Sequence, residues 1–94
     1  MKRDIDCIGF KAPENLVDKM RDTLSELQSE SPSDSYVVAN IRKEGKEFVL
    51  LLSVRYQHGE FKTQVNGFDI NNILDLGMRN MNDQLDSWKR ERTI

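Results

Sequence analysis

From Phe68 to Arg92 the apolar positions are Ile70, Ile73, Leu74, Gly77, Met78, Met81, Leu85 and Trp88. They recur mostly by threes and fours, the period of a helix with one buried face. Asp69 suits the N-cap, because its carboxylate can accept from the free amides of the first turn. Phe68 and Ile73 then occupy the N′ and N4 positions of a hydrophobic staple. Lys89, Arg90 and Arg92 put positive charge at the C-terminal end, where the helix dipole favours it.

Upstream, the period changes. Asp4 to Phe10 alternates, with Ile5, Cys7 and Gly9 on one face and Asp6, Ile8 and Phe10 on the other, which predicts a first strand. After a turn at Lys11-Ala12, Pro13 suits the first position of a helix. That helix runs from Glu14 to about Ser29, with Leu16, Val17, Met20, Leu24 and Leu27 as its stripe. The polar segment Ser29 to Ser35, which contains Pro32, ends it.

Three further strands follow. Tyr36 to Lys43 sets Val37, Ala39 and Ile41 against Tyr36, Val38 and Asn40. Glu44-Gly45-Lys46 is a hairpin turn. Phe48 to Tyr56 is apolar on both faces for much of its length and belongs in the middle of the sheet. His58-Gly59 turns the chain again, and Glu60 to Asn66 alternates Phe61, Thr63 and Val65 against Lys62, Gln64 and Asn66. The expected fold is α+β: a two-layer β-α-β-β-β-α sandwich, with both helices packed on one face of a four-stranded sheet. Parallel first and second strands would be joined through the first helix by a right-handed crossover.

At 94 residues there is room for one domain and one core. A charged content of 32% beside 37% hydrophobic suits a folded, soluble chain. No apolar run approaches the roughly 20 residues that span a bilayer. The basic start at Lys2 and Arg3 lacks the apolar region of a secretory signal. Cys7 is the single cysteine and excludes an internal disulfide. A cytoplasmic location is expected. The net charge of −2 and pI of about 5.4 argue against a generic nucleic-acid binder and leave room for local basic patches.

Catalytic chemistry is not legible. The one histidine, His58, falls at a turn tip without a partner for acid–base work. Cys7 falls on the buried face of a strand, where a thiol packs as a small apolar group. One Cys and one His do not make a usual zinc site, and the glycines mark turns rather than a phosphate loop. No metal, cofactor or small-molecule substrate is expected, and no membrane partner. Asp4 and Asp6 share a strand face and read as a solvated edge.

Two surfaces remain. If Val37, Ala39, Ile41, Phe48, Leu50 and Leu52 face the helices, then Tyr36, Val38, Val49 and Leu51 face outward. Either they form a protein-association surface, including a homodimer through the open sheet face, or the stems of Arg42, Arg55 and Lys62 drape over them. The second surface is Lys89, Arg90 and Arg92 with Arg79, joined by Lys19 or Arg21 from the first helix. It serves either phosphate contact or dipole complementarity and solubility.

The run from Phe61 to Lys89 resembles the ribosome hibernation promoting factor family, also called protein Y or sigma-54 modulation proteins, in its short single-domain form. The resemblance rests on a last strand leading into an Asp-led helix, here Asp69, then Asp75, the pair Gln84-Leu85 and the basic pair Lys89-Arg90. The family's β-α-β-β-β-α topology covers residues 1–94. The resemblance implies a non-enzymatic translation regulator of the stress-response type, bound to the small ribosomal subunit in the channel used by mRNA and tRNA. On that reading Arg79, Lys89, Arg90 and Arg92 are the primary rRNA contacts, and Lys19 and Arg21 are secondary. The family tends to be basic along the last helix. Asn80, Asp83, Asp86 and Ser87 stand there in this chain, and carboxylates near phosphates repel. The other reading is an interaction module that keeps the fold without the RNA surface.

Overall fold

The computed structural model describes residues 3–32 and 34–92. Its elements run β1 (Arg3–Ile8), α1 (Glu14–Glu30), β2 (Tyr36–Glu44), β3 (Glu47–Tyr56), β4 (Gly59–Gly67) and α2 (Ile70–Arg92). The sheet order is β1-β2-β3-β4. β1 and β2 are parallel, as a helical crossover allows, and the other neighbours are antiparallel. β3 is paired on both sides, in keeping with its near-continuous apolar run. No helix among the described residues is long and apolar enough to cross a membrane.

Strand alternation assigns the faces. Val37, Ala39 and Ile41 of β2 and Leu50, Leu52 and Val54 of β3 point to the same side. There they join Leu16, Met20, Leu24 and Leu27 of α1 and Ile73, Leu74, Met81 and Leu85 of α2 in one core. Both helices therefore cover one face, α1 over β1 and β2, α2 over β3 and β4. Truncating a fully buried member such as Met20 to Ala costs about 2–5 kcal/mol. Gly77 lets α2 come close to the sheet: a Cβ there would lie 2.8 Å from Leu50 Cδ2 and 3.0 Å from Leu52 Cδ1.

Several local expectations change. β1 stops at Ile8 because Gly9 turns the chain at φ 84°. Phe10 therefore leaves the strand and packs edge-on against Phe48, ring centroids 5.3 Å apart. Pro13 is the N-cap of α1, one residue before the expected position. At the other end of α1, the Ser31 hydroxyl donates to the Leu27 carbonyl at 2.6 Å. Asp69 does cap α2, its Oδ1 accepting from the Asn71 N–H at 2.9 Å. The staple does not close. Phe68 is 70% exposed, and Ile73 instead packs over Gly67, where a Cβ would lie 3.0 Å from its Cγ2 methyl. The last turn is Gln57-His58, with Gly59 already in β4.

Candidate functional site

α2 presents a core side, two flanks and an outer ridge to its surroundings. Its core side carries Ile73, Leu74, Gly77, Met81 and Leu85. One flank meets β4: Asn80 Nδ2 donates to Thr63 Oγ1 at 3.3 Å and Gln84 Nε2 to the Lys62 carbonyl at 2.9 Å. The other flank faces α1. Away from the core, the spacing of four, three and four sets Arg79, Asp83, Asp86 and Arg90 along one exposed ridge. Charges of both signs share that ridge, and Arg90 Nε donates to the Asp86 carbonyl at 3.4 Å. Arg92 ends α2, and its side chain lies outside the described residues.

The two expected lysines lie in the groove between the helices. Lys19 on α1 donates to Asn71 Oδ1 at 2.9 Å and stands 4.0 Å from Asp75. Lys89 on α2 pairs with Glu30 at the end of α1. That hydrogen bond, and then the lysine charge, hold the Glu30 carboxyl below the ordinary glutamate value. Arg21 lies on the opposite flank of α1 from Lys19 and pairs with Asp18 at 3.8 Å. Of the six candidate cations, Arg79 and Arg90 thus share a ridge, Lys19 and Lys89 cross-link the helices, and Arg21 stands apart.

Three cations outside that set lie toward the far end of the sheet. Lys11 follows β1, Lys43 lies near the end of β2, and Lys46 is in the Gly45-Lys46 turn to β3; a Cβ on Gly9 would lie 3.2 Å from the Lys43 carbonyl. The Lys43 ammonium sits 5.8 Å from the centre of the Phe48 ring. All three lysines are exposed, with no ion pair among the described residues. The signal available beforehand was the Arg42-Lys43-Glu44-Gly45-Lys46 hairpin, which brings its lysines to one tip.

The opposite end gathers aromatic rings. Tyr56 and Phe61 stack at 5.2 Å with their planes 9° apart, and Trp88 meets both edge-on. His58 lies exposed at the turn, its ring 6.3 Å from Tyr56. Cys7 faces the core layer, and burial, then the Asp6 carboxylate, push its thiol above the ordinary value. Among the described residues no group of three or more His, Cys, Asp or Glu could hold a metal ion. The arrangement offers surfaces for binding.

The open face of the sheet carries Asp4, Asp6 and Ile8 of β1, then Tyr36, Val38, Asn40 and Arg42 of β2. Glu44 ends β2 on this face beside Arg42, β3 adds Glu47, Val49, Leu51, Ser53 and Arg55, and β4 adds Glu60, Lys62, Gln64 and Asn66, whose Nδ2 donates to Glu47 at 2.9 Å. Tyr36 is 42% and Ile8 50% exposed. Val38 and Leu51 are half-buried. Val49 and Ser53 are 8% exposed although no layer lies over them, so neighbouring side chains cover them. Near the β4 edge, Glu60 accepts from Arg55 at 2.9 Å and stands 3.7 Å from Lys62. Asp4 and Asp6 are exposed at the β1 edge and make no ion pair among the described residues.

Against known proteins, the likeness is one of fold. A ribosomal subunit interface protein from Coxiella burnetii superposes with a TM-score of 0.78 at 15% identity, over 96% of this chain and 99% of that one. The Protein Y N-terminal domain of Thermus thermophilus superposes with a TM-score of 0.71 at 14% identity, over 90% and 94%. No protein-family model matches the sequence. No curated protein matches it either. The chain thus shares the fold of that ribosomal subunit interface protein and of the Protein Y N-terminal domain, at low identity.

Proposed function

We propose that residues 1–94 form a hibernation-factor-like domain that acts in the cytoplasm as a non-enzymatic modulator of translation, bound to rRNA of the small ribosomal subunit. The observation that carries this reading is the end-to-end match with a ribosomal subunit interface protein, 96% of one chain on 99% of the other. Arg79, Lys89, Arg90 and Arg92 are the proposed primary phosphate contacts, with Lys19 and Arg21 secondary. Lys89 must exchange Glu30 for a phosphate, and Lys19 must exchange Asn71 and Asp75. Binding that replaces existing pairs is weak and sensitive to salt. In a cell-free translation reaction the protein lowers synthesis, and a variant with Lys89, Arg90 and Arg92 changed to Glu does not. Equal synthesis with and without excess protein overturns the reading.

A second reading gives the open sheet face a protein-association role through Tyr36, Val38, Val49 and Leu51, with homodimerisation as its simplest form. The exposed Tyr36 on this face, and Asp4 and Asp6 beside it without an ion pair among the described residues, favour it.

A further inference from the structure

We infer that the free edge of β1 is a docking site for an extended protein segment that alternates basic and apolar residues, added to the sheet as a fifth strand. The inference uses the edge of β1 and not the strip of Tyr36, Val38, Val49 and Leu51, so it goes beyond both readings above. The two edges of the sheet differ. On β4 the Gln84 side chain takes up the N–H and the carbonyl of Lys62. β1 is the other edge, and among the described residues no hydrogen bond beyond those to β2 engages its main chain. Alternate residues of such an edge turn their N–H and carbonyl groups outward, where a further strand can pair with them.

The side chains of β1 define what the added strand must carry, because successive residues point to opposite faces. Ile5 and Cys7 pack against the core yet stay half-buried, whereas Val37, Ala39 and Ile41 beside them on β2 are buried. α1 lies over β1 and β2, so its flank away from α2 is the one turned toward the β1 edge. Val17 on that flank is half-buried as well. Apolar residues at alternate positions of an added strand would cover Ile5 and Cys7 and complete the layer.

The other alternate positions fall on the open face, beside Asp4 and Asp6, both exposed. The remaining carboxylates of that face have partners. Glu44 lies 3.3 Å from Arg42, Glu60 is paired with Arg55 and Lys62, and Glu47 accepts from Asn66. The cations of the face are thus committed, while Asp4 and Asp6 make no ion pair among the described residues. Their complement is a cation on the incoming strand. Lysines or arginines at alternate positions meet both acids, whichever way that strand runs. A second copy of β1 does not supply this. Paired antiparallel, two β1 strands would set the acids of both copies on one face, like charge beside like charge. Paired parallel about an axis between them, they would set those acids beside Ile5 and Cys7 of the second copy. The acids therefore exclude the chain's own edge and admit a basic one.

The test is an NMR titration of the full isotope-labelled chain with a synthetic peptide of four lysine–valine repeats. The peptide is expected to shift the β1 amides, to slow hydrogen exchange at alternate positions of β1, and to slow thiol labelling of Cys7. A peptide of four glutamate–valine repeats is expected to bind about tenfold more weakly. Asp4→Lys combined with Asp6→Lys is expected to invert that preference, with circular dichroism verifying that the double variant folds. No change at millimolar peptide overturns the docking site. So does equal binding of a peptide with its four lysines grouped ahead of its four valines, which keeps the charge and loses the alternation. A preference for the lysine peptide that survives in the double variant overturns it too. Slowed exchange in β1 as the chain alone is concentrated assigns the edge to a second copy and overturns the inference.

Discussion

Gln84 of α2 holds the main chain of Lys62 in β4 by both its groups. Gln84 Nε2 donates to the Lys62 carbonyl at 2.9 Å, and Gln84 Oε1 accepts from the Lys62 N–H at 3.4 Å. A side-chain amide here takes the place of a neighbouring strand on the outer edge of the sheet. An edge strand left open is a template for pairing with another chain. Gln84→Leu is expected to lower stability by about 1 kcal/mol and to speed hydrogen exchange at the Lys62 amide. Urea denaturation and amide exchange read these two effects. Unchanged exchange at Lys62 contradicts the clamp.

Gly77 balances two opposed effects. Alanine would gain about 1 kcal/mol of helix propensity. Its Cβ would press on the Leu50 and Leu52 methyl groups at 2.8 and 3.0 Å, and both leucines are fully buried. Overpacking of this kind costs about 1–3 kcal/mol. Gly77→Ala is therefore expected to lower stability by about 1 kcal/mol, and Gly77→Val by more, since a larger branched group meets the same wall. Both are read from urea unfolding midpoints.

The Lys89 to Glu30 pair gives acid stability a defined sign. Lys89 holds the Glu30 carboxyl below its ordinary value in the folded chain. A depressed folded value contributes stability above the unfolded value, lost as pH falls through the folded one. Lys89→Met returns Glu30 towards its ordinary titration and removes that contribution at neutral pH. The check is an NMR titration of the Glu30 carboxyl in both proteins, where identical curves contradict the pair.

Cys7 tests the placement of β1 on the core. Its thiol is raised by burial and by Asp6, so the reactive thiolate is scarce near neutral pH. Thiol reagents are expected to label Cys7 slowly in the folded protein and at the rate of a free cysteine in urea. Fast labelling without denaturant contradicts the packing.

The architecture was legible because periodicity reports burial directly. The steps of three and four in α1 and α2, and the alternation in β2, mark the residues that now form the core. The apolar run of β3 gave away its central position. What escaped depends on geometry that one sequence does not encode. Phe68 has the composition of a staple, yet the tight packing of Ile73 over Gly67 leaves its ring in solvent. Phe10 follows the strand alternation on paper, and the backbone turn at Gly9 takes it elsewhere. The cations were visible as residues, but their pairing was not. Glu30 lies 59 positions from Lys89, and Asn71 lies 52 from Lys19. Likewise Lys11 comes to the same end of the sheet as Lys43 and Lys46 because β1 runs parallel to β2.

Co-sedimentation of the purified protein with small ribosomal subunits, at low and at moderate salt, tests the central claim most directly. The account predicts binding at low salt that falls steeply as salt rises. Four phosphate contacts imply a log–log slope of about −3. Changing Lys89, Arg90 and Arg92 to Glu should abolish it. No binding at either salt, or binding that ignores both salt and those substitutions, contradicts it.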